Sequence, residues 1–401
     1  MKVLVADAFE KSGLDGLAAL GCEVLYEPKL EGASLGARLA ETEAEALVVR
    51  STKVGAAEME NASGLALIVR AGAGVNTIDL QAASARAIAV SNCPGKNAIA
   101  VAELAWGLIL ALDRRIVDQA NDLRAGVWNK SLYGKARGLA GRTLGVIGLG
   151  AIGREVVTRA KAFGMPVVAW SRTLDDDRAA RLGIARADSV HALAAASDVV
   201  TVHCALTVET KGMLDAKFFL AMKPGAFFVN TSRGEVVDQP ALESAIAEKG
   251  LRAGLDVFAR EPAGGTGAFE DGIASLPAVI GTHHVGASTE QAQAAIAEET
   301  VRIVAAFAST GEVPNAVNLA SRTPATHVLS VRHRDRIGVL AHVFGVLRAA
   351  GINVEKTENV VFAGAEAACA RIQVGHAPQA AVLEEIQRGC ADVLSISVRP
   401  L

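Results

Sequence analysis

Three short segments in the second half of the chain carry polar side chains that a folded core would not ask for: NTSRGEVVD with Arg233, LDVFAREP with Glu261, and GTHHVGAST with His284. Their chemistry is complementary. A histidine, whose ordinary pKa lies near neutrality, can accept or return a proton. A carboxylate beside it would orient the ring and stabilise its protonated form. A guanidinium can grip a carboxylate through two parallel donors, which an ammonium cannot copy. Together they suit a base that takes a hydroxyl proton while a hydride leaves the same carbon of a carboxylic acid. His283 stands next to His284, and residue type alone does not choose between them.

A place for the hydride acceptor is written upstream. The apolar run TLGVIGL leads into Gly148, Gly150 and Gly153, spaced G-x-G-x-x-G, and a helical pattern opens at Ala151 and Ile152. Gly148 permits a tight turn, Gly150 lets the backbone approach a pyrophosphate, and Gly153 allows helix to pack on strand. Free N–H groups at the helix start would face the phosphates. The next strand ends AWSR, so Ser171 and Arg172 occupy the place where an NAD-selective site carries an acid. Arg172 could pair with the 2'-phosphate of NADP; were it turned to solvent, one of Asp175 to Asp177 would take the ribose. The expected cofactor is therefore NAD or NADP.

These residues need a scaffold. Strand-like runs KVLVAD, CEVLYE, EALVVRS, LALIVRAG and AIAVSN alternate with helical patterns over the first hundred residues, which argues for parallel βα units. A long apolar helix is expected from about Asn97 to Arg124. A second series then begins at Thr143, with strands TLGVIGLG, PVVAWSR, SDVVTVHC, AFFVNTSR, AGLDVF and AVIGTHH, followed by a helix from about Ser288 to Ser309. After a polar, proline-bearing linker the chain reads βαββαβ. The expected fold is α/β: two doubly wound, Rossmann-like parallel-sheet lobes and a ferredoxin-like unit. The expected boundaries are 1–97 for a substrate lobe, 98–287 for the dinucleotide domain, 288–320 for a returning helix and linker, and 325–401 for the C-terminal unit. Ligands of doubly wound sheets bind outside the carboxyl ends of the strands, so Arg233, Glu261 and His284 should converge there.

The motifs resemble those of the D-isomer-specific 2-hydroxy acid dehydrogenases. In that family the Arg lies in T-S-R-G, the Glu in D-V-F-x-x-E-P, and the His precedes an apolar residue, Gly and Ala. The resemblance implies Arg233, Glu261 and His284 as catalytic residues, and the spacing to Gly286 and Ala287 selects His284 over His283, which stands where the family usually has proline. It also implies that Asp256 contacts the nicotinamide amide and that Thr231 lies beside the cofactor. In the first lobe, VVRSTKV and IVRAGAGVNTID place Arg50, Ser51, Lys53 and Arg70 near strand ends, where cations suit a phosphate. Both segments resemble those of the family's phosphoglycerate-oxidising members, in which the first meets the substrate phosphate and the glycine-rich one, with Gly72, presents amides to its carboxylate. The implied substrate is a small phosphorylated 2-hydroxy acid. The alternatives are reduction of glyoxylate or hydroxypyruvate with NADPH, and a cofactor-sensing corepressor or binding protein built on the same fold.

Around Trp128, GVWNKSLYGKARGLAGRTLG resembles the family loop that crosses a dimer interface, implying a homodimer or homotetramer. Residues from about Ala325 resemble an ACT domain through DRIGVL and GIN. His333, Asp335 and Asn353 match positions that contact L-serine, an amino-acid effector, although Asp335 replaces asparagine and Ile337 proline, and a carboxylate would repel the effector's own. The alternative there is a purely structural, dimerising unit.

Composition bounds the rest. Of 401 residues 51% are hydrophobic and 21% charged, with a net charge of -3 and both signs interspersed, so no sustained positive field marks a nucleic-acid partner. MKVLVADAFE lacks the organisation of a signal peptide. The run VAELAWGLILAL is broken by Glu103 and falls short of the ~20 apolar residues of a membrane span. The 5 cysteines are scattered without a C-x-x-C pair, which fits a reducing cytoplasm; no metal is expected.

Overall fold

In the computed structural model, residues 1–262, 266–320 and 322–401 are described, and they form three β-sheets. The chain divides into two compact units, Met1–Asn318 and Leu319–Leu401.

The first sheet holds β1 (Lys2–Val5), β2 (Glu23–Tyr26), β3 (Ala46–Val49), β4 (Leu67–Arg70) and β5 (Ala89–Asn92), all parallel, in the order β2-β1-β3-β4-β5. These strands are apolar without alternation because helices cover both faces. Leu4, Leu47 and Ile68 join the core on one side, and Val3, Val5, Val48 and Val69 that on the other. The second of these faces is closed from far along the chain, by Ile296, Ile303 and Val304 of the helix Glu290–Thr310.

The second sheet holds β6 (Leu144–Ile147), β7 (Val167–Trp170), β8 (Ala185–Arg186), β9 (Val199–Val202), β10 (Phe227–Asn230), β11 (Arg252–Leu255) and β12 (Val279–Gly281). All are parallel, in the order β12-β11-β10-β9-β6-β7-β8, so the strand order reverses between β6 and β9. The two-residue β8 has no counterpart among the six expected strands; AR is too short to show a pattern. The helix Ala98–Arg114 packs Ala105, Ile109 and Leu112 into the core that holds Leu144 and Val146. It does not continue to Arg124 as expected. Arg115 turns left-handed (φ 52°), and a separate helix runs Ile116–Arg124. The reason is the end of the apolar stripe: Leu108, Ile109 and Leu112 are buried, whereas the following helix buries none of its residues.

The C-terminal unit consists of β13 (His327–Arg334), the helix Val339–Ala349, β14 (Val354–Val361), β15 (Ala367–Val374), the helix Ala380–Arg388 and β16 (Val393–Pro400). Its sheet is antiparallel, in the order β14-β15-β13-β16, over a core of Leu329, Val331, Val343, Leu347 and Ile372. No helix among the described residues is long and apolar enough to cross a membrane.

Candidate active site

Only three residues separate the end of β6 from the helix Ala151–Ala162, and the glycines make that turn possible. Gly148 has φ 91°, and a Cβ there would fall 2.7 Å from the carbonyl carbon of His203; a Cβ on Gly153 would fall 2.2 Å from the Gly148 oxygen. At Gly150 a Cβ would meet nothing within 4 Å. Two glycines are thus required by packing, and the third borders open space at a helix start whose first amides, those of Ala151, Ile152 and Gly153, have no intrahelical partner. That is a cradle for a pyrophosphate. Ser171 and Arg172 follow the last residue of β7, and Arg172 is exposed. Of the nearby acids, Asp175 caps the next helix by accepting from the Arg178 amide (2.7 Å), and Asp176 accepts from Arg186 Nε (2.6 Å). On the other side His203 is half-buried, and desolvation of its ring pushes its pKa down to about 3, which keeps it neutral. Its Nε2 lies 2.9 Å from Thr201 Oγ1 and its Nδ1 3.4 Å from Thr231 Oγ1.

His284 and Glu261 meet. His284 Nδ1 lies 2.7 Å from Glu261 Oε2, and Glu261 Oε1 accepts from the Phe258 amide at 2.9 Å. Partial burial alone would raise the Glu261 pKa, but the hydrogen bonds from His284 and Phe258, with the charges of His284 and Arg233, hold it below the ordinary carboxylate range. His284 has φ 52°, an uncommon backbone conformation for a side chain of this size. The buried Asp256 holds the loop in that shape. Its backbone carbonyl accepts from the His284 amide (2.8 Å), Oδ1 accepts from Thr282 Oγ1 (2.6 Å) and Val285 N (2.9 Å), and Oδ2 accepts from Gly286 N (3.0 Å). His283 makes no contact of this kind with Glu261 among the described residues.

Arg233 leaves the end of β10 on a loop fastened by Asn230, whose Oδ1 accepts from Ser232 N (2.9 Å) and Ser232 Oγ (2.8 Å) while its Nδ2 donates to the Arg233 carbonyl (2.9 Å). The guanidinium reaches the first lobe: Nη2 donates to Asn76 Oδ1 at 3.2 Å, and a Cβ on Gly74 would lie 2.4 Å from it. A second guanidinium waits there. Arg70 Nε is buried without a partner, and burial, then Arg233 and Arg50, push the Arg70 pKa down to about 10. Gly72 stands beside it at φ 151°, a backbone conformation that residues with a side chain rarely adopt. The loop carrying Arg50, Ser51 and Lys53 is shaped by Asp7. Asp7 Oδ2 accepts from the amides of Arg50 (2.6 Å), Ser51 (3.0 Å) and Thr52 (3.0 Å), and Oδ1 from Ser51 Oγ (3.1 Å). The Ser51 hydroxyl is therefore already engaged, whereas the side chains of Arg50 and Lys53 form no ion pair among the described residues.

In the C-terminal unit His333 is buried, with Nδ1 2.8 Å from the Arg334 carbonyl and Nε2 3.2 Å from Asn359 Oδ1. Asn353 donates to Glu355 Oε1 (2.7 Å), and Asp335 is exposed. No hydrogen bond among the described residues joins His333, Asp335 and Asn353 to one another.

Set beside known proteins, residues 106–286 match the family described as "D-isomer specific 2-hydroxyacid dehydrogenase, NAD binding domain". A glyoxylate reductase from Thermococcus litoralis is 39% identical over 285 residues, which are 69% of this chain and 84% of that one. The chain belongs to the D-isomer specific 2-hydroxyacid dehydrogenase family. Another relative is D-3-phosphoglycerate dehydrogenase of Methanocaldococcus jannaschii, 38% identical over 310 residues, or 76% of this chain and 57% of the relative, so the chain spans little more than half of that protein's length. Among solved structures, the NAD+-bound 3-phosphoglycerate dehydrogenase of Entamoeba histolytica superposes with a TM-score of 0.66 at 25% identity, covering 80% of this chain and 99% of that one. The cofactor of this family member is a nicotinamide dinucleotide, NAD(P), and the cradle at Gly148, Gly150 and Gly153 fits it.

Several residues of the site were not singled out in the sequence. Asp7, Asn76, His203 and Asn230 shape or contact its loops; Asp7, His203 and Asn230 are polar residues at or just beyond strand ends (KVLVAD, VVTVHC and FFVN), whereas Asn76 lies six residues past the end of β4. A search for polar punctuation at carboxyl ends would have found three of them, and Asn76 is reached only through Arg233.

Proposed function

We propose that this chain is an NAD(P)-dependent dehydrogenase that interconverts D-3-phosphoglycerate and 3-phosphohydroxypyruvate. The observation that carries the reading is the set of cations near the His284–Glu261 pair: the Arg233 guanidinium reaches Asn76 of the first lobe (3.2 Å), and the half-buried Arg70, its Nε without a partner, lies within range of the charges of Arg233 and Arg50. Gathering like charges is unfavourable unless an anion offsets it, and a substrate with an anion at each end would do so. Arg233 holds the carboxylate and the neighbouring oxygen, while Arg50 and Lys53, with Arg70 behind them, hold the phosphate. Because the loop amides at 50–52 are committed to Asp7, side chains rather than backbone carry phosphate recognition.

In the oxidative direction His284 Nε2 removes the hydroxyl proton, and Glu261, fixed on Nδ1, stabilises the ring as it becomes charged. A nicotinamide dinucleotide, when bound, would supply the hydride acceptor; Thr231 and Asp256 would border its ring, and the helix start at Ala151 would hold its pyrophosphate. For the ribose, the exposed Arg172 and the prior engagement of Asp175 and Asp176 favour NADP competence. Trp128, 78% exposed beside Leu123 and Val127, supports a loop that packs on a second copy in a homo-oligomer. The C-terminal unit is assigned as a regulatory domain for a small amino acid.

Initial rates with 3-phosphohydroxypyruvate, hydroxypyruvate and glyoxylate, each with NADH and NADPH and with or without L-serine, test the substrate, the cofactor preference and the effector. The highest kcat/KM is expected for the phosphorylated acid. Preference for an unphosphorylated acid would remove the phosphate assignment, and no turnover of any of the three would remove the enzyme reading.

A further inference from the structure

A second cationic site lies at the opposite ends of the nucleotide-domain strands. Arg142 precedes β6, Phe227 opens β10 and Arg252 opens β11, so this face is the amino-end face of the sheet. A strand of four residues separates it by roughly 13 Å from the cofactor cradle. Here a cavity of about 310 Å³ is lined by Arg114, Arg115, Lys135, Arg137, Arg142 and Arg252. That is large enough for a small metabolite, and because Tyr133, Lys135 and Arg137 of the lining follow Trp128 in the loop proposed to pack on a second copy, the site borders that contact.

The charges of this cavity are only partly balanced. Asp113 is the one carboxylate of the lining, and it pairs with Arg142 at 3.2 Å. From outside, Asp118 pairs with Arg115 (2.8 Å) and lies 3.9 Å from Arg252, and Asp198 lies 3.4 Å from Arg137. Arg114 and Lys135 form no ion pair among the described residues, so two of the six cations of the lining are unpaired. The site is also built. Arg142 is only 5% exposed, its guanidinium lies over the Phe227 ring with Cζ 4.4 Å from the centroid, and its Nε has no hydrogen-bond partner. Arg115 lies over Tyr133 at 5.0 Å, and Tyr133 is in turn held by Asp122 (2.6 Å). A buried donor left without a partner and two unpaired cations around one cavity call for an acceptor-rich ligand.

We propose that this cavity is a binding site for a small oxyanion of charge -2 or more, a phosphoryl compound or a polycarboxylate, separate from the active site. The full-length protein is titrated calorimetrically with tripolyphosphate and with citrate, the ionic strength being held constant with sodium chloride; the stronger of the two identifies the class. Arg233→Gln, and likewise Arg50→Gln with Lys53→Gln, which together weaken anion binding at both ends of the active site, should retain the affinity. Arg114→Ser with Lys135→Ser, both at exposed positions, should weaken it at least about tenfold, as loss of charge-assisted contacts predicts. Lys135→Glu, a single change that alters the net charge by the same two units, serves as a second variant and should show the same direction. Equal affinity in these pocket variants, loss of binding in Arg233→Gln, or no binding of either anion to the unaltered protein would overturn the proposal.

Discussion

Asp256 and His284 are coupled through the backbone: the His284 amide donates to the Asp256 carbonyl at 2.8 Å, and the Asp256 carboxylate takes the next two amides along the chain, those of Val285 and Gly286. The left-handed φ of His284 costs of order 1 kcal/mol or more and persists only where the surroundings impose it. A buried carboxylate with three donors is such a constraint. The direction in which His284 presents its free ring nitrogen is thus set from the end of β11, one strand away.

Asp256→Ala would leave Thr282 Oγ1 and two amides without acceptors. Stability to urea should fall by roughly 3 kcal/mol, since each bond to a charged group contributes about 1.5–3 kcal/mol and water will satisfy some of the freed donors. His284→Asn should instead leave stability nearly unchanged while lowering kcat by about 10²–10⁴, the usual span for a lost general base. Equal stability of Asp256→Ala and the parent would mean that the loop is held by something else.

The glycines of the cradle should separate by role. A Cβ on Gly153 collides with the Gly148 carbonyl oxygen, so Gly153→Ala should lower the melting temperature and dinucleotide affinity together. A Cβ on Gly150 meets no protein atom, and φ there is -77°, so Gly150→Ala should fold normally. Its methyl group would nevertheless occupy the space through which a pyrophosphate approaches the backbone, and dinucleotide affinity, read by quenching of tryptophan fluorescence, should fall by about tenfold or more. Unchanged affinity would place the phosphates elsewhere.

Glu261 makes a prediction with a sign. Its folded pKa lies below its unfolded value, so the ionised form contributes stability that is present above the unfolded pKa, near 4.5, and lost as pH falls through the folded one. The stability difference between the parent protein and Glu261→Gln should therefore shrink as pH is lowered from 6 towards 3, measured by denaturant unfolding at each pH. A difference that grew on acidification would contradict the bonding described here.

What the sequence could and could not disclose follows from the range of the interactions. The placement of Arg233, Glu261 and His284 was legible because each sits in a local motif at a strand end, and local chain geometry is what a motif encodes. The parallel sheets were legible because VLV, ALVV and LIVR are apolar without alternation. The break at Arg115 was not, because arginine is a good helix former and the cause is where the core ends. Asp7 was missed for a related reason: it lies 43 residues from Arg50 and meets it only because β1 and β3 are neighbours in the sheet.

That contact supports a last expectation. Asp7 accepts three successive amides from the loop that carries Arg50 and Lys53, and these bonds, against the opposing effect of burial, hold its carboxyl below the ordinary range. Asp7 does not face the reacting carbon in the mechanism proposed, so it acts as a positioning residue. Asp7→Asn keeps the shape but gives up the charge that strengthens the bonds. The loop should loosen and KM for the phosphorylated substrate should rise by about tenfold, whereas kcat, set by His284 and Glu261, should change by less than about threefold. Hydroxypyruvate, which has no phosphate for the loop to hold, provides the internal control: its KM should be unaffected by the same change. A parallel loss for both substrates would show that Asp7 supports the fold of the lobe as a whole and not the phosphate contact in particular.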